Sequence, residues 1–331
     1  MIRIGKISYW HVHAWEYTNL AQEHPDTQIV AVWDEDAKRG QEAADRLGVS
    51  YVQDLEEMLR RDDLDAVIVD APTNRHQEVI TAAARTGKHI FTEKVLAPTV
   101  REAKAILEEI EKNQVKLMVS LPRLYEGYTL AIRNLIEQGL LGRITLVRVR
   151  LSHNGAIAGW LPEHFYSLEQ CAGGAMIDLG CHPMYLTRLF LGEQPVSVQS
   201  QYSYITGKEV EDNAAAVLLT EAGAIGIVEA GFVNAYSPFT IEVHGTDGTL
   251  MYGMPEAKLL LRTSRLGEAE QQGWVEQKIP SRPENAFNQW VSHIQQDTYA
   301  EDNNRIAYEL TQLMEASNQS AREHRAIRLS E

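Results

Sequence analysis

The chain has 331 residues, a length that predicts two domains with ample room for a buried core. Its 31 Lys and Arg against 46 Asp and Glu give a formal net charge of -15, which argues against nucleic acid and anionic membrane surfaces as partners. Only two cysteines, Cys171 and Cys181, no apolar run long enough to span a bilayer, and a strand-like Met1–Ser8 in place of a secretory signal set the expected address as the cytoplasm.

The first third alternates. Strands are expected at 3–8, 28–33, 65–70, 89–92 and 116–120, and helices at 16–23, 38–47, 55–61, 76–86 and 100–112. Strands alternating with helices through short turns predict a parallel sheet covered on both faces. Such sheets bind ligands in the crevice outside the carboxyl ends of their strands. Asp34 closes the second strand, where a dinucleotide fold places an acid to accept from the adenosine ribose hydroxyls. Glu35 and Asp36 follow it, and no basic residue comes before Lys38, a pattern that favours NAD over NADP. The turn after the first strand departs from the glycine-rich pattern. It reads Ser8-Tyr9-Trp10-His11-Val12-His13-Ala14, with Trp10 about where the second glycine belongs. A side chain there pushes the phosphates outward, leaving Ser8, His11, Val12 and the following helix N-terminus to meet them. His11 and His13 also have the spacing of two metal ligands, without an evident third; lining of the cofactor crevice is the favoured alternative.

Pro72, Asn74 and His76 follow the third main strand at the sheet crest, as an ordinary turn and cap or as ligand contacts. Glu93 and Lys94 end the next strand. An isolated Glu-Lys is usually a surface ion pair, but a lysine beside a nicotinium cation is suited to proton transfer.

The second half begins with a helix expected over 123–138. A sharply alternating strand over 143–152 leads into a loop from His153 to Tyr166. Loops this long and rich in aromatics, His and Asn are usually functional, so His153, Asn154, Trp160 and His164 are candidate substrate contacts, with an inert surface loop as the alternative; Arg123 and His182 are further candidates outside the loop. Gly173–Tyr185 places Asp178 and His182 four residues apart among apolar neighbours. A continuous helix would set them on one face, one turn apart. The plain alternative is a helix cap and a satisfied core imidazole. Strands at 196–204, 214–220, 224–232, 239–245, 249–252 and 258–261 predict a large, mainly antiparallel sheet with helices on one face. Helices over 285–297 and 305–323 and a short strand at 326–329 follow.

Several stretches together resemble the glucose–fructose oxidoreductase, inositol dehydrogenase and rhizopine-catabolism (Gfo/Idh/MocA) family. They are Asp65–Val69 with Pro72–His76, Gly87–Lys94, Gly173–His182, Glu211-Asp212-Asn213 and Gly245–Leu250. The resemblance spans essentially the whole chain. It implies an α/β plus α+β architecture: a Rossmann domain over 1–121, then a substrate and oligomerisation domain over 122–331. It further implies NAD, or less favourably NADP, as cofactor and a secondary alcohol of a sugar or polyol as substrate. Lys94, Asp178 and His182 would form the catalytic group, with His182 taking the hydroxyl proton, and the second sheet would pair copies into a homodimer or homotetramer. Related activities are an NAD-assisted glycosidase or lyase and a non-catalytic sensor. Val95 replaces the proline usual after the lysine, and Tyr185 stands where many members carry a second acid.

Overall fold

The computed structural model describes residues 1–254, 256–267 and 270–329, which group into two compact units. The first unit comprises Met1–Leu121 and Glu284–Thr311; the second comprises Pro122–Pro283 and the residues from Gln312 on. Chain order alone assigns 284–311 to the second unit, but by contacts these residues belong to the first.

In the first unit the strands are β1 (Ile2–Ile7), β2 (Thr27–Trp33), β3 (Ser50–Tyr51), β4 (Ala66–Val69), β5 (His89–Thr92) and β6 (Leu117–Val119). The helices between them are α1 (Ala14–Glu23), α2 (Ala37–Leu47), α3 (Leu55–Leu59), α4 (His76–Arg85) and α5 (Val100–Lys112). All pairings are parallel, in the order β3-β2-β1-β4-β5-β6. The apolar run Ala66–Val69 is wholly buried, as a strand flanked on both faces must be. Ile7 pairs with Trp33 on one side and Val69 on the other, so Ser8, Asp34 and Asp70 all fall at one edge. Chain order reverses between β1 and β4, which makes this edge the ligand crevice. Local signals set the helix starts: Asp36 caps α2, and Thr99 with Glu102 forms a capping box on α5. From the later segment, Trp290 donates its indole N–H to the Lys116 carbonyl at 3.1 Å. The Asn303 amide serves both the N–H and the C=O of Val119, at 2.8 and 2.9 Å, and so closes the β6 edge.

The second unit opens with a 3₁₀ turn at Pro122–Tyr125 and helix α6 (Gly127–Glu137), so the single helix expected over 123–138 is broken before Gly127. After β7 (Ile144–Ser152) come the short helices α7 (Gly155–Ala158), α8 (Leu168–Cys171) and α9 (Ala175–Asp178), then α10 (Cys181–Leu191). The remaining strands are β8 (Ser197–Ser203), β9 (Asn213–Leu219), β10 (Ile225–Gly231), β11 (Thr240–Gly245), β12 (Gly248–Tyr252), β13 (Leu259–Thr263), β14 (Val275–Gln277) and β15 (Ile327–Arg328). They form one sheet ordered β14-β13-β12-β11-β7-β10-β9-β8-β15, antiparallel except between β7 and β10. Helix α11 (Ala286–Gln296) belongs to the first unit, and α12 (Glu301–Glu323) contributes its first part to the first unit and its remainder to the second.

Helix α10 packs on β7 and β10, where Gly226 lets it come close: a Cβ there would stand 2.6 Å from the Thr187 methyl. Val147, Val149 and Val228 face it and are buried. On the opposite face Arg148 reaches Glu229 at 2.7 Å, beside the exposed apolar side chains Val217, Leu219 and Ile225. No helix among the described residues is long and apolar enough to cross a membrane.

Candidate active site

The crest of the first sheet is built without glycines. Ser8 adopts φ +67°, the conformation a glycine would supply. The turn then holds itself together with its own amides. Tyr9 N–H donates to the Asp34 carboxylate (2.8 Å), Trp10 N–H to Ser8 Oγ (3.1 Å) and His11 N–H to the Asp70 carbonyl (3.2 Å). His13 N–H donates to His11 Nδ1 (3.3 Å) and Ala14 N–H to the His11 carbonyl (3.1 Å). Trp10 is buried, and Val12 is the exposed residue of the turn.

Asp34 is buried, and its two oxygens also take the Asp36 N–H and the Arg39 guanidinium, which forks onto them at 2.7 and 2.9 Å. Arg39 reaches Glu35 as well, at 2.6 Å. The fold brings Arg39, one residue beyond Lys38, back over the acids, so the corner is not a bare acidic cluster. Among the described residues Glu35 Oε2 is buried with no hydrogen-bond partner, and burial, then the Asp34 charge, push the Glu35 carboxyl up. An orphaned acceptor at the end of β2 fits a ribose hydroxyl, and on this observation the site suits a dinucleotide.

His76 does not face a ligand. Its Nδ1 lies 2.8 Å from the Val95 carbonyl and its Nε2 3.1 Å from that of Ala71, so the buried ring braces the peptide that follows Lys94. Pro72 is buried and Asn74 exposed on a 3₁₀ turn. Glu93 and Lys94 are no surface pair: both are buried, with Lys94 Nζ 3.8 Å from Glu93 Oε1. Tyr17 donates its phenol to Glu93 and contacts Ser120 at 2.7 Å, while His11 Nε2 stands 3.9 Å from the same carboxylate. Burial pushes Glu93 up and His11 well down, the latter helped by the Lys94 charge. The His11 and His13 rings are 5.1 Å apart, and His13 pairs with Glu16 at 3.0 Å. Among the described residues no group of three or more His, Cys, Asp or Glu is placed to hold a metal.

In the second unit, Asp178 and His182 are not on one helix. Asp178 ends α9, Leu179 and Gly180 interrupt, and His182 sits in the first turn of α10. Gly180 makes the break tight: a Cβ there would come 2.6 Å from the Met176 carbonyl. The imidazole of His182 is instead met from one turn further on, by Tyr185 Oη at 3.0 Å from Nδ1. Tyr185 Oη also accepts the Arg123 backbone N–H at 3.1 Å. The Arg123 guanidinium lies 4.3 Å over the Phe239 ring and donates to Tyr128 Oη at 3.2 Å. Asp178 instead acts electrostatically on His153, where burial pushes the imidazole down and the carboxylate opposes it. His153 stacks on Phe232, touches the exposed Trp160 ring at 4.6 Å between centroids, and accepts Gly155 N–H at 3.0 Å. Asn154 is half-buried at the start of α7. His164 belongs to a different cluster, beside Phe165 and with its carbonyl toward Cys171. Sequence reasoning named Tyr185 only as a departure and passed over Tyr128 and Phe239; three-residue spacing from His182 was the available signal for Tyr185.

Glu211 braces the start of α9. Its oxygens accept the Gly174 and Met176 N–H groups, each at 2.9 Å, and its carbonyl accepts that of Ala175. Gly174 is required: a Cβ would sit 2.1 Å from the Glu211 carbonyl oxygen. Burial outweighs those hydrogen bonds and pushes the Glu211 carboxyl up to about 7. The folded state therefore holds this proton more tightly than the unfolded chain, and stability falls as pH rises from about 4.5 through about 7, by roughly 2–4 kcal/mol. Denaturant unfolding across that range is expected to show the decline in the wild-type chain and not in Glu211→Gln, which is itself destabilised because an amide cannot accept both N–H groups.

Two family models match in tandem: "Oxidoreductase family, NAD-binding Rossmann fold" over residues 2–121 and "GFO/IDH/MocA C-terminal domain" over residues 129–251. The scyllo-inositol 2-dehydrogenase (NAD(+)) of Bacillus subtilis (strain 168) is 28% identical over 260 residues, covering 76% of this chain and 72% of the relative. The 1,5-anhydro-D-fructose reductase of Ensifer adhaerens is 29% identical over 267 residues, covering 78% and 77%. Among solved structures, levoglucosan dehydrogenase in complex with NADH and levoglucosan superposes with a TM-score of 0.82 at 20% identity, covering 100% of this chain and 99% of that one. At that identity the likeness speaks for the fold, which is the same two-part architecture. With both halves matched in order, the chain belongs to the Gfo/Idh/MocA family of oxidoreductases with an NAD-binding Rossmann domain.

Proposed function

We propose that the chain is a nicotinamide-dinucleotide-dependent dehydrogenase that acts on a secondary alcohol of a sugar, polyol or related carbohydrate. The observation that carries the reading is the buried Glu93–Lys94 pair at the carboxyl end of β5, an ionisable couple set beside the crevice of a dinucleotide fold. The names of the relatives, inositol dehydrogenase and anhydrofructose reductase among them, support the substrate class.

Asp34, Glu35 and Arg39 would hold the adenosine ribose, and Ser8, His11, Val12 and the start of α1 would meet the phosphates, with Trp10 packed beneath. When bound, the dinucleotide supplies the acceptor or donor of hydride. The chain's own residues bind and orient the sugar and move the hydroxyl proton. Lys94, Asp178 and His182 form the group that handles it, and Arg123, His153, Asn154 and Trp160 line the substrate's side. Trp160 offers a flat, exposed apolar face to a sugar ring.

NAD is the preferred cofactor in this reading. A 2′-phosphate would meet Arg39 already paired with two carboxylates, and the unpartnered oxygen of Glu35 would repel it. The exposed apolar strip of Val217, Leu219 and Ile225, edged by the Arg148–Glu229 pair, is the face through which copies would pair into a dimer or tetramer. The cytoplasm is its place. Titration of the purified chain with NAD and with NADP tests the reading. NAD is expected to bind at least about tenfold more tightly, the equivalent of about 1.4 kcal/mol. Binding of neither dinucleotide would remove the proposal.

A further inference from the structure

Asp34 stands where a strand end presents an acid to a ribose, but its carboxylate is already taken. The side chain is wholly buried. Oδ1 accepts the Asp36 N–H at 2.8 Å and one arm of the Arg39 guanidinium at 2.7 Å. Oδ2 accepts the Tyr9 N–H at 2.8 Å and the Arg39 Nε–H at 2.9 Å. A carboxylate offers about four acceptor sites, and protein donors occupy that number here. A ribose hydroxyl reaches Asp34 only by displacing one of these donors, which is then left buried and unpaired. The donors belong to the glycine-free turn, to the cap of α2 and to α2 itself, so Asp34 ties the turn to the helix.

Glu35 is placed differently. Its side chain is 19% exposed. Oε1 takes Arg39 at 2.6 Å and the Ser8 hydroxyl at 3.1 Å. Oε2 takes no donor from the described residues and is left to solvent or to a ligand. Burial, then the Asp34 charge, push this carboxyl up, and a hydroxyl donated to Oε2 would offset both.

We infer that Glu35, and not Asp34, accepts the adenosine ribose hydroxyl, and that Asp34 is a positioning residue that locks the turn onto α2. The ribose rests on the dinucleotide reading; the lock stands on the geometry alone. The roles expected at the end of β2 are thereby divided between two neighbouring acids. Arg39 serves both. It fills Asp34 from two nitrogens and holds Glu35 by Oε1, which leaves Oε2 as the acceptor for the ligand. Ser8 holds the same Glu35 oxygen from the turn, so the ribose contact and the glycine-free crest share one set of hydrogen bonds.

Binding of NAD, and of the NAD analogue that lacks the adenosine 2′-hydroxyl, to the purified full chain tests this alongside denaturant unfolding. The wild type is expected to bind NAD about tenfold more tightly than the analogue, the scale of one hydrogen bond to a charged acceptor. In Glu35→Ala that preference is expected to fall to about threefold or less, with unfolding close to that of the wild type. Asp34→Asn is expected to keep the preference but to unfold at a lower denaturant concentration, because its amide brings N–H groups to a point on which donors already converge. A preference that survives in Glu35→Ala overturns the inference, as does loss of the preference in an Asp34→Asn chain of wild-type stability. If Asp34→Asn does not fold, Glu35→Ala alone decides the ribose contact. A wild type that binds neither compound removes the dinucleotide reading and leaves the lock, which the unfolding of Asp34→Asn still decides.

Discussion

Lys94→Ala and His182→Ala are each expected to lower turnover on a substrate of the proposed carbohydrate class by about 10²–10⁴, the range for a lost proton-transfer or hydrogen-bonding group in the reacting centre. The physical case for Lys94 is its setting. It is buried beside Glu93, whose carboxylate also takes the Tyr17 phenol, at the carboxyl end of β5. A lysine kept inside is expensive, and a chain of this charge has ample surface on which to place one. His182 makes a parallel case: its ring meets a phenol that is itself held by a backbone amide, an arrangement that an idle core histidine does not need. The diagnostic pattern is a fall in kcat with NAD affinity within a few-fold of wild type. A Lys94→Ala chain that turned over at the wild-type rate would remove Lys94 from the group. Glu93 loses its cation in that variant, so Lys94→Met, which retains the stem in the buried slot, is the companion control for packing.

Much of this was written in local sequence. His89–Thr92 and Val100–Lys112 form the strand and helix their patterns indicate, because the apolar pair Ile90-Phe91 after the Gly87 stop and a Thr99 capping box each settle the matter within a few residues. The two-residue β3 and the short β14 carry no such pattern, since their pairing depends on a neighbouring strand. The crest was half legible. Asp34 at a strand end announces itself, but Arg39 acts on it from one turn into α2, and nothing in a linear reading shows that a guanidinium folds back. The break between Asp178 and His182 was hidden for a related reason. The four-residue spacing of Asp178 and His182 is helical by periodicity, and the close approach of Gly180 to the Met176 carbonyl exists only once the chain has turned. Glu211 lies 37 residues from Gly174, so its bracing of α9 is a tertiary fact from the start.

The largest effect on stability is expected at Lys6 and Asp70, which face each other from β1 and β4 with both side chains fully buried. Replacing one partner alone, as in Lys6→Met or Asp70→Asn, leaves the other buried without its counter-charge or with a neutral partner, and Lys6→Met is expected to cost about 3–5 kcal/mol in denaturant unfolding. Among the described residues Asp70 Oδ1 has no hydrogen-bond partner. Removing both charges, as in Lys6→Met with Asp70→Ala, removes the desolvation cost as well, and the double variant is expected to be more stable than Lys6→Met alone. The double variant also exposes what the pair does besides holding two strands together. Lys6 donates to the Ser8 carbonyl at 3.1 Å, and Ser8 is the residue held at φ +67° in the glycine-free turn. Its ammonium also lies 4.9 Å from the centre of the Tyr9 ring. The ion pair thus fixes the backbone that glycines would otherwise leave adaptable, and the turn presents Val12 and the start of α1 from that fixed base. A Lys6→Met, Asp70→Ala chain that recovers stability is therefore expected to bind NAD several-fold more weakly than wild type, with Ser8 released from its anchor. Recovered stability together with wild-type NAD affinity would mean that the turn holds its shape through Asp34 and Ser8 Oγ alone.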